Sequence, residues 1–207
     1  MLKKTIRLRL VIVAIIVFYA SLITAAAIRL RDSVFLPDRV LISDILSKHN
    51  NPEGAWIAIL GINICVILLY PVTQALQINQ GKRLRTASLT GRWMFFLGIL
   101  SIIALSLTSL LDEGGYSDLH VWMAYASFMG VVGGLTIGFT INFLSGYKRL
   151  LSLTLTMILL ATFSYLAYLF TQPEYFNGRL WLLAVYEWML SAIISAGIIQ
   201  IVWMAKH

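Results

Sequence analysis

Apolar positions along this chain form long, nearly uncharged runs with no alternation. They occupy residues 10–28, 55–77, 93–111, 119–143, 150–170 and 180–204, with short polar connections between them. Runs of this length approach or exceed the roughly 20 residues that an α-helix needs to cross a bilayer. The pattern predicts an all-α polytopic membrane protein, a single bundle of six transmembrane helices. The first run follows Lys3, Lys4, Arg7 and Arg9 and passes through Ala25-Ala26-Ala27, the layout of a signal peptide. It is longer than the usual signal core of about 7–15 residues and reads as a retained helix. Residues 29–54 make the one long polar connection. Within it, Leu41, Ile42, Ile45 and Leu46 predict a short amphipathic turn on the membrane surface.

The chain is organised around residues 118–142, which open with Asp118 and His120, pass Trp122 and then stay uncharged. Ala126, Gly130, Gly134 and Gly138 recur at every fourth position and so predict one small-residue helix face. Glycine weakens a helix in water by about 1 kcal/mol per position. In lipid, small residues at this spacing let a second helix approach backbone to backbone. This face is expected to be a helix-packing seam.

Composition agrees: 59% of residues are hydrophobic and 12% charged. The net charge of +7 would suggest nucleic acid in a soluble protein, but its placement explains it better. With both termini on one side, that side carries eleven of the sixteen basic residues and none of the nine acids. Eight acids fall on the other side and the ninth, Glu187, inside the last span. By the positive-inside rule the termini are cytoplasmic. Trp56, Trp93, Trp122, Trp181 and Trp203 fall near span ends, as an interfacial belt requires, while Trp188 lies deeper. The expected location is the cell membrane. The expected partners are membrane lipids, with a membrane-protein partner or a second copy as further options and no nucleic acid. The single cysteine, Cys65, excludes an intrachain disulfide.

Glu187 is the one ionisable side chain well inside an apolar run. A charge at such depth costs at least about 2.5–3.5 kcal/mol, so the group faces the bundle interior and is paired or neutral. Its candidate roles are an ion, proton or lipid-headgroup site, or a buried hydrogen-bond anchor. His120 begins the fourth span at the same face, Asn63 sits near the middle of the second, and Ser43, Asp44 and Glu53 lie at the span mouths. These six make a candidate polar site open to the extracytoplasmic face, in which Glu187, His120 and Asp44 are expected to approach one another. Adjacent Ser43 and Asp44 do not orient His120 as a serine triad requires. His49 and His120 lack paired ligand spacing, so neither a metal nor another cofactor is expected.

Taken together, the motifs resemble the DRAM family (damage-regulated autophagy modulators) and its Frag and Sfk relatives. The matching stretches are L-I-S-D ending at Asp44, N-P-E ending at Glu53 with Asn63 beyond, L-G-I-L-S from Leu97, H-V-W-M-A-Y-A-S-F-M-G from His120, and Y-E-W ending at Trp188. The resemblance runs from Val40 to Trp188 and implies the same six-span layout. It marks Ser43, Asp44, Pro52, Glu53, Asn63, His120, Gly130, Glu187 and Trp188 as family positions. Met123-Ala124 stands where the family has Gly-Ala, and the long tails of eukaryotic members are absent. The resemblance implies roles in membrane lipid organisation, autophagy regulation or lipid-anchor remodelling, and the leading expectation is a lipid-associated protein without catalysis of its own. The alternatives are a membrane-embedded enzyme acting on lipid headgroups or acyl chains, and a small transporter or channel using Glu187.

Overall fold

The computed structural model describes residues 3–31, 40–77, 84–111, 118–171 and 180–205. The acidic turn before the fourth run, Lys82 and Arg83, the Pro173 turn and Lys206-His207 lie outside the described residues. Eight helices appear among those described: α1 (Lys4–Arg29), α2 (Ile42–Leu46), α3 (Ala55–Leu68), α4 (Tyr70–Gln77), α5 (Arg85–Leu111), α6 (Asp118–Leu144), α7 (Arg149–Thr171) and α8 (Leu180–Met204). Five apolar helical stretches are long enough to cross a membrane: Lys4–Arg29, Ala55–Leu76, Arg85–Leu110, Trp122–Leu144 and Leu182–Met204. A sixth, shorter apolar stretch covers Arg149–Tyr165 of α7. Leu60, Ile67, Leu150 and Trp122 stand exposed on helix surfaces, which suits contact with lipid chains rather than water.

The second apolar run is two helices where the sequence pattern suggested one. Pro71 has no amide hydrogen and its ring crowds the carbonyl one turn earlier, so the ladder of α3 cannot pass through it. The chain closes α3 with the Leu69 amide on the Cys65 oxygen at 2.9 Å and restarts with Pro71 in the first turn of α4, where it is tolerated. The helix carrying the third run begins at Arg85, ahead of the apolar residues. Its first turns are helical but polar.

Two close antiparallel pairs make the frame. In the first, α1 lies on α3: a Cβ on Gly61 would overlap the Ser21 side chain, and one on Gly54 would come within 2.7 Å of the Ala25 oxygen. In the second, α5 lies on α6, with Gly98 and Gly130 backbone against backbone and Gly134 facing the Gly91 oxygen and Phe95. The expected seam on α6 is thus only partly what the helix presents to one neighbour. Gly138 meets the side chains of Leu76 on α4 and Ile201 on α8, and Ala126 is exposed. A strict four-residue repeat advances about 40° per step on a helix of about 3.6 residues per turn, so the stripe winds away from a single partner. Helix α8 closes the bundle against α1, α4, α6 and α7. At the far end of α6 a tight turn with Gly146 at φ 76°, a left-handed conformation that glycine adopts freely, leads into α7. There Lys148 Nζ sits 3.2 Å from the centre of the Trp203 ring.

Candidate functional site

The connection between α1 and α3 turns inward over one end of the bundle. Its helix α2 is short, and no side chain of its own caps its amino terminus. Orphan amides at a helix start need acceptors, and Glu187 of α8 supplies them. One carboxylate oxygen accepts from the Ile42 amide at 2.6 Å and the Ser43 amide at 3.4 Å, and the other accepts from Ser43 Oγ at 3.3 Å. The next residue, Trp188, donates its indole N–H to the Val40 oxygen at 2.9 Å. Its ring stacks on Tyr19 of α1, whose hydroxyl lies 3.2 Å from Ser191 Oγ. Glu187 and Trp188 therefore hold an amide and a carbonyl of the same short segment.

The remaining candidates have further partners of their own. Asp44 pairs with Arg29 at 3.4 Å and accepts from Asn50 Nδ2 at 3.1 Å. Glu53 pairs with Arg31 on the exposed surface. Asn63 donates to Ser106 Oγ at 3.1 Å, tying α3 to α5. His120 is buried, with Nδ1 3.2 Å from Ser109 Oγ of α5. Asp44 thus pairs with Arg29 while lying within electrostatic reach of Glu187, and Ser43 makes the direct contact to that carboxylate.

Beneath α2 the helices enclose a cavity of about 350 Å³. Glu187, Ser43 and His120 line it, together with Leu41, Ile42 and Leu46 of the inward-turned connection. Further along the same helices the wall becomes Val66, Leu69, Phe95 and Ile198, with Ser195 of α8 between the two ends. Ligand pockets commonly measure about 300–1,000 Å³ and are mainly apolar with a few placed polar groups. This cavity has that character: one polar end and one long apolar wall, with no lysine or arginine among the described residues that line it. No group of three or more histidine, cysteine or acidic side chains suited to a metal ion occurs among the described residues.

Sequence reasoning missed Asn51. It is buried, donates to the Ala25 oxygen at 3.2 Å and the Ile45 oxygen at 3.0 Å, and accepts from the Gly54 amide at 3.1 Å. It thereby binds α1, α2 and the start of α3 together. Its signal in the sequence was an asparagine ahead of Pro52 and a helix start, which also describes any ordinary turn.

Apolar helices of this number and length define a multi-pass membrane protein, all-α over the described residues. No protein-family model, no curated protein and no solved structure matches the chain.

Proposed function

We propose that the protein crosses the membrane six times, with both termini in the cytoplasm of a cell whose plasma membrane it occupies. In this reading it holds a lipid-class amphiphile without transforming it. The observation that carries the reading is the cavity of about 350 Å³ under α2. Its apolar wall suits a hydrocarbon chain. Its polar end offers a carboxylate, a serine hydroxyl and an imidazole, and no lysine or arginine lines it among the described residues. A phosphate head would meet none of the described cationic side chains there, so the favoured occupant is a neutral amphiphile with hydroxyl or amide groups near Ser43 and Glu187. The charge asymmetry of the connections supports the orientation. The resemblance to the DRAM, Frag and Sfk proteins supports a lipid-associated role.

Lipid extraction and mass spectrometry of the purified protein test this reading. Wild type should carry a neutral lipid in near-stoichiometric amount. Ser195→Phe, which fills the cavity between its two ends, should remain folded and lose that lipid at least tenfold. Equal lipid content in both proteins would refute the reading. Turnover of the bound lipid, or ion flux dependent on Glu187, would replace it with an enzyme or a transporter.

A further inference from the structure

The opposite end of the bundle contains an arginine on the wrong face of its helix. Arg7 shares the inward face of α1 with Val11, Ala14, Leu22 and Ala25, and it is only 1% exposed. Arg9, two positions on, is exposed. Neither Nε nor Nη1 of Arg7 has a hydrogen-bond partner. A guanidinium keeps its charge in proteins, and a buried charge without a partner costs several kcal/mol. Among the described residues no ion pair neutralises it. The chain's nine acids fall between α1 and α3, between α5 and α6, at the first residue of α6, between α7 and α8, or within α8. Among the described acids, Asp44 and Glu53 pair with Arg29 and Arg31 at the other end of α1, and Glu187 belongs to the cavity's polar end. Two further unmet polar groups are side-chain amides. Counting equally along both antiparallel helices from the Ser21–Gly61 contact brings Arg7 level with Ala75, beside Gln74. Gln74 Oε1 and Gln200 Oε1 are both buried without partners. Their helices, α4 and α8, pack on α1 and on each other.

We infer that Arg7 is the centre of an oxyanion site at the amino-terminal end of the bundle, taking a phosphate group, with Gln74 and Gln200 flanking it. A guanidinium matches two phosphate oxygens with parallel N–H bonds, and a side-chain amide can turn its NH₂ toward a third. The group belongs either to an anionic lipid headgroup of the near leaflet or to a soluble phosphate. The site is independent of the lipid cavity and differs from it in ligand charge.

The test is a thermal-shift titration of the full-length protein in neutral detergent, tagged at the carboxyl end so that the chain-end carboxylate is displaced. The titrants are inorganic phosphate, phosphatidylglycerol micelles and phosphatidylcholine micelles. Wild type should gain about 5 °C or more at saturation with phosphatidylglycerol or phosphate, and nothing with phosphatidylcholine. Response to phosphate alone identifies a soluble anion, and response only to phosphatidylglycerol identifies a headgroup. Arg9→Gln, with the same loss of net charge, should keep the shift. Arg7→Met should lose it, and Arg7→Lys should bind about tenfold more weakly because it keeps the charge without the planar fork. An equal shift in Arg7→Met and Arg9→Gln would overturn the site. So would native mass spectra in which wild type retains neither phosphate nor phosphatidylglycerol, whatever the variants do.

Discussion

Glu187 and Trp188 show how much two adjacent side chains can organise. One accepts from the amides of Ile42 and Ser43, and the other donates to the Val40 oxygen. Glu187→Gln keeps an acceptor oxygen and should cost less than about 1 kcal/mol. Glu187→Leu removes the cap and should cost about 1–2 kcal/mol. Thermal unfolding in detergent compares the two, and equal losses would mean that charge rather than acceptor geometry holds α2. Asn51→Ala leaves three buried backbone groups without their partner and should cost about 3 kcal/mol or more. Asn50→Ala, at an exposed neighbour, serves as the control in the same assay. Glu187 was legible in the sequence because a carboxylate in an apolar run is conspicuous. Its partners were not, because a backbone amide leaves no mark on composition. Arg7 was hidden for the opposite reason: among Lys3, Lys4 and Arg9 it passes as one more interfacial charge, and only its helical phase separates it from them.

At the scale of elements, the packing of α5 on α6 rests on glycines from both helices. Gly130→Leu would drive a side chain into Gly98 and the Met94 oxygen and should prevent folding, since overpacking already costs about 1–3 kcal/mol where only side chains must move. Ala126→Leu, on the exposed part of the stripe, should leave the melting temperature within a degree or two. Similar losses in the two variants, read by size-exclusion profile and melting curve, would count against the observed register. The stripe on α6 was visible in the sequence, but its partners Gly91 and Gly98 were not. They stand seven apart in a chain with many scattered glycines, and one helix's sequence does not say which neighbour it meets. The break before α4 had a plain cause in Pro71, yet hydropathy ignores backbone donors and runs straight through it. The reverse happened at α5, where polar turns preceding the apolar run are helical and hydropathy stops short.

For the whole molecule, each apolar run falls on helix among the described residues, while helix ends were less legible. The orientation across the membrane can be checked directly. In a Cys65→Ala background, cysteine at exposed Thr86 should react with an impermeant maleimide only from the cytoplasmic side, and cysteine at exposed His49 only from outside. Labelling of both from one side would remove the six-span arrangement and, with it, the assignment of the cavity's polar end to the outer face. The signs of charge on the connections are what carry the proposed orientation. The inward turn of α2 was not readable, because its apolar positions fit a membrane surface as well as a bundle interior.

The bond from Glu187 to Ile42 joins residues 145 apart in the chain. On a ribosome that separation is also an interval of time. The segment around α2 must wait, without its cap, while nearly the whole of the rest of the protein is made and inserted. If the cavity holds a lipid as proposed, its wall from α8 is the last part to be supplied. Loading and completion then become one event, and a nascent chain stalled before residue 180 should still show its α2 segment to an added protease.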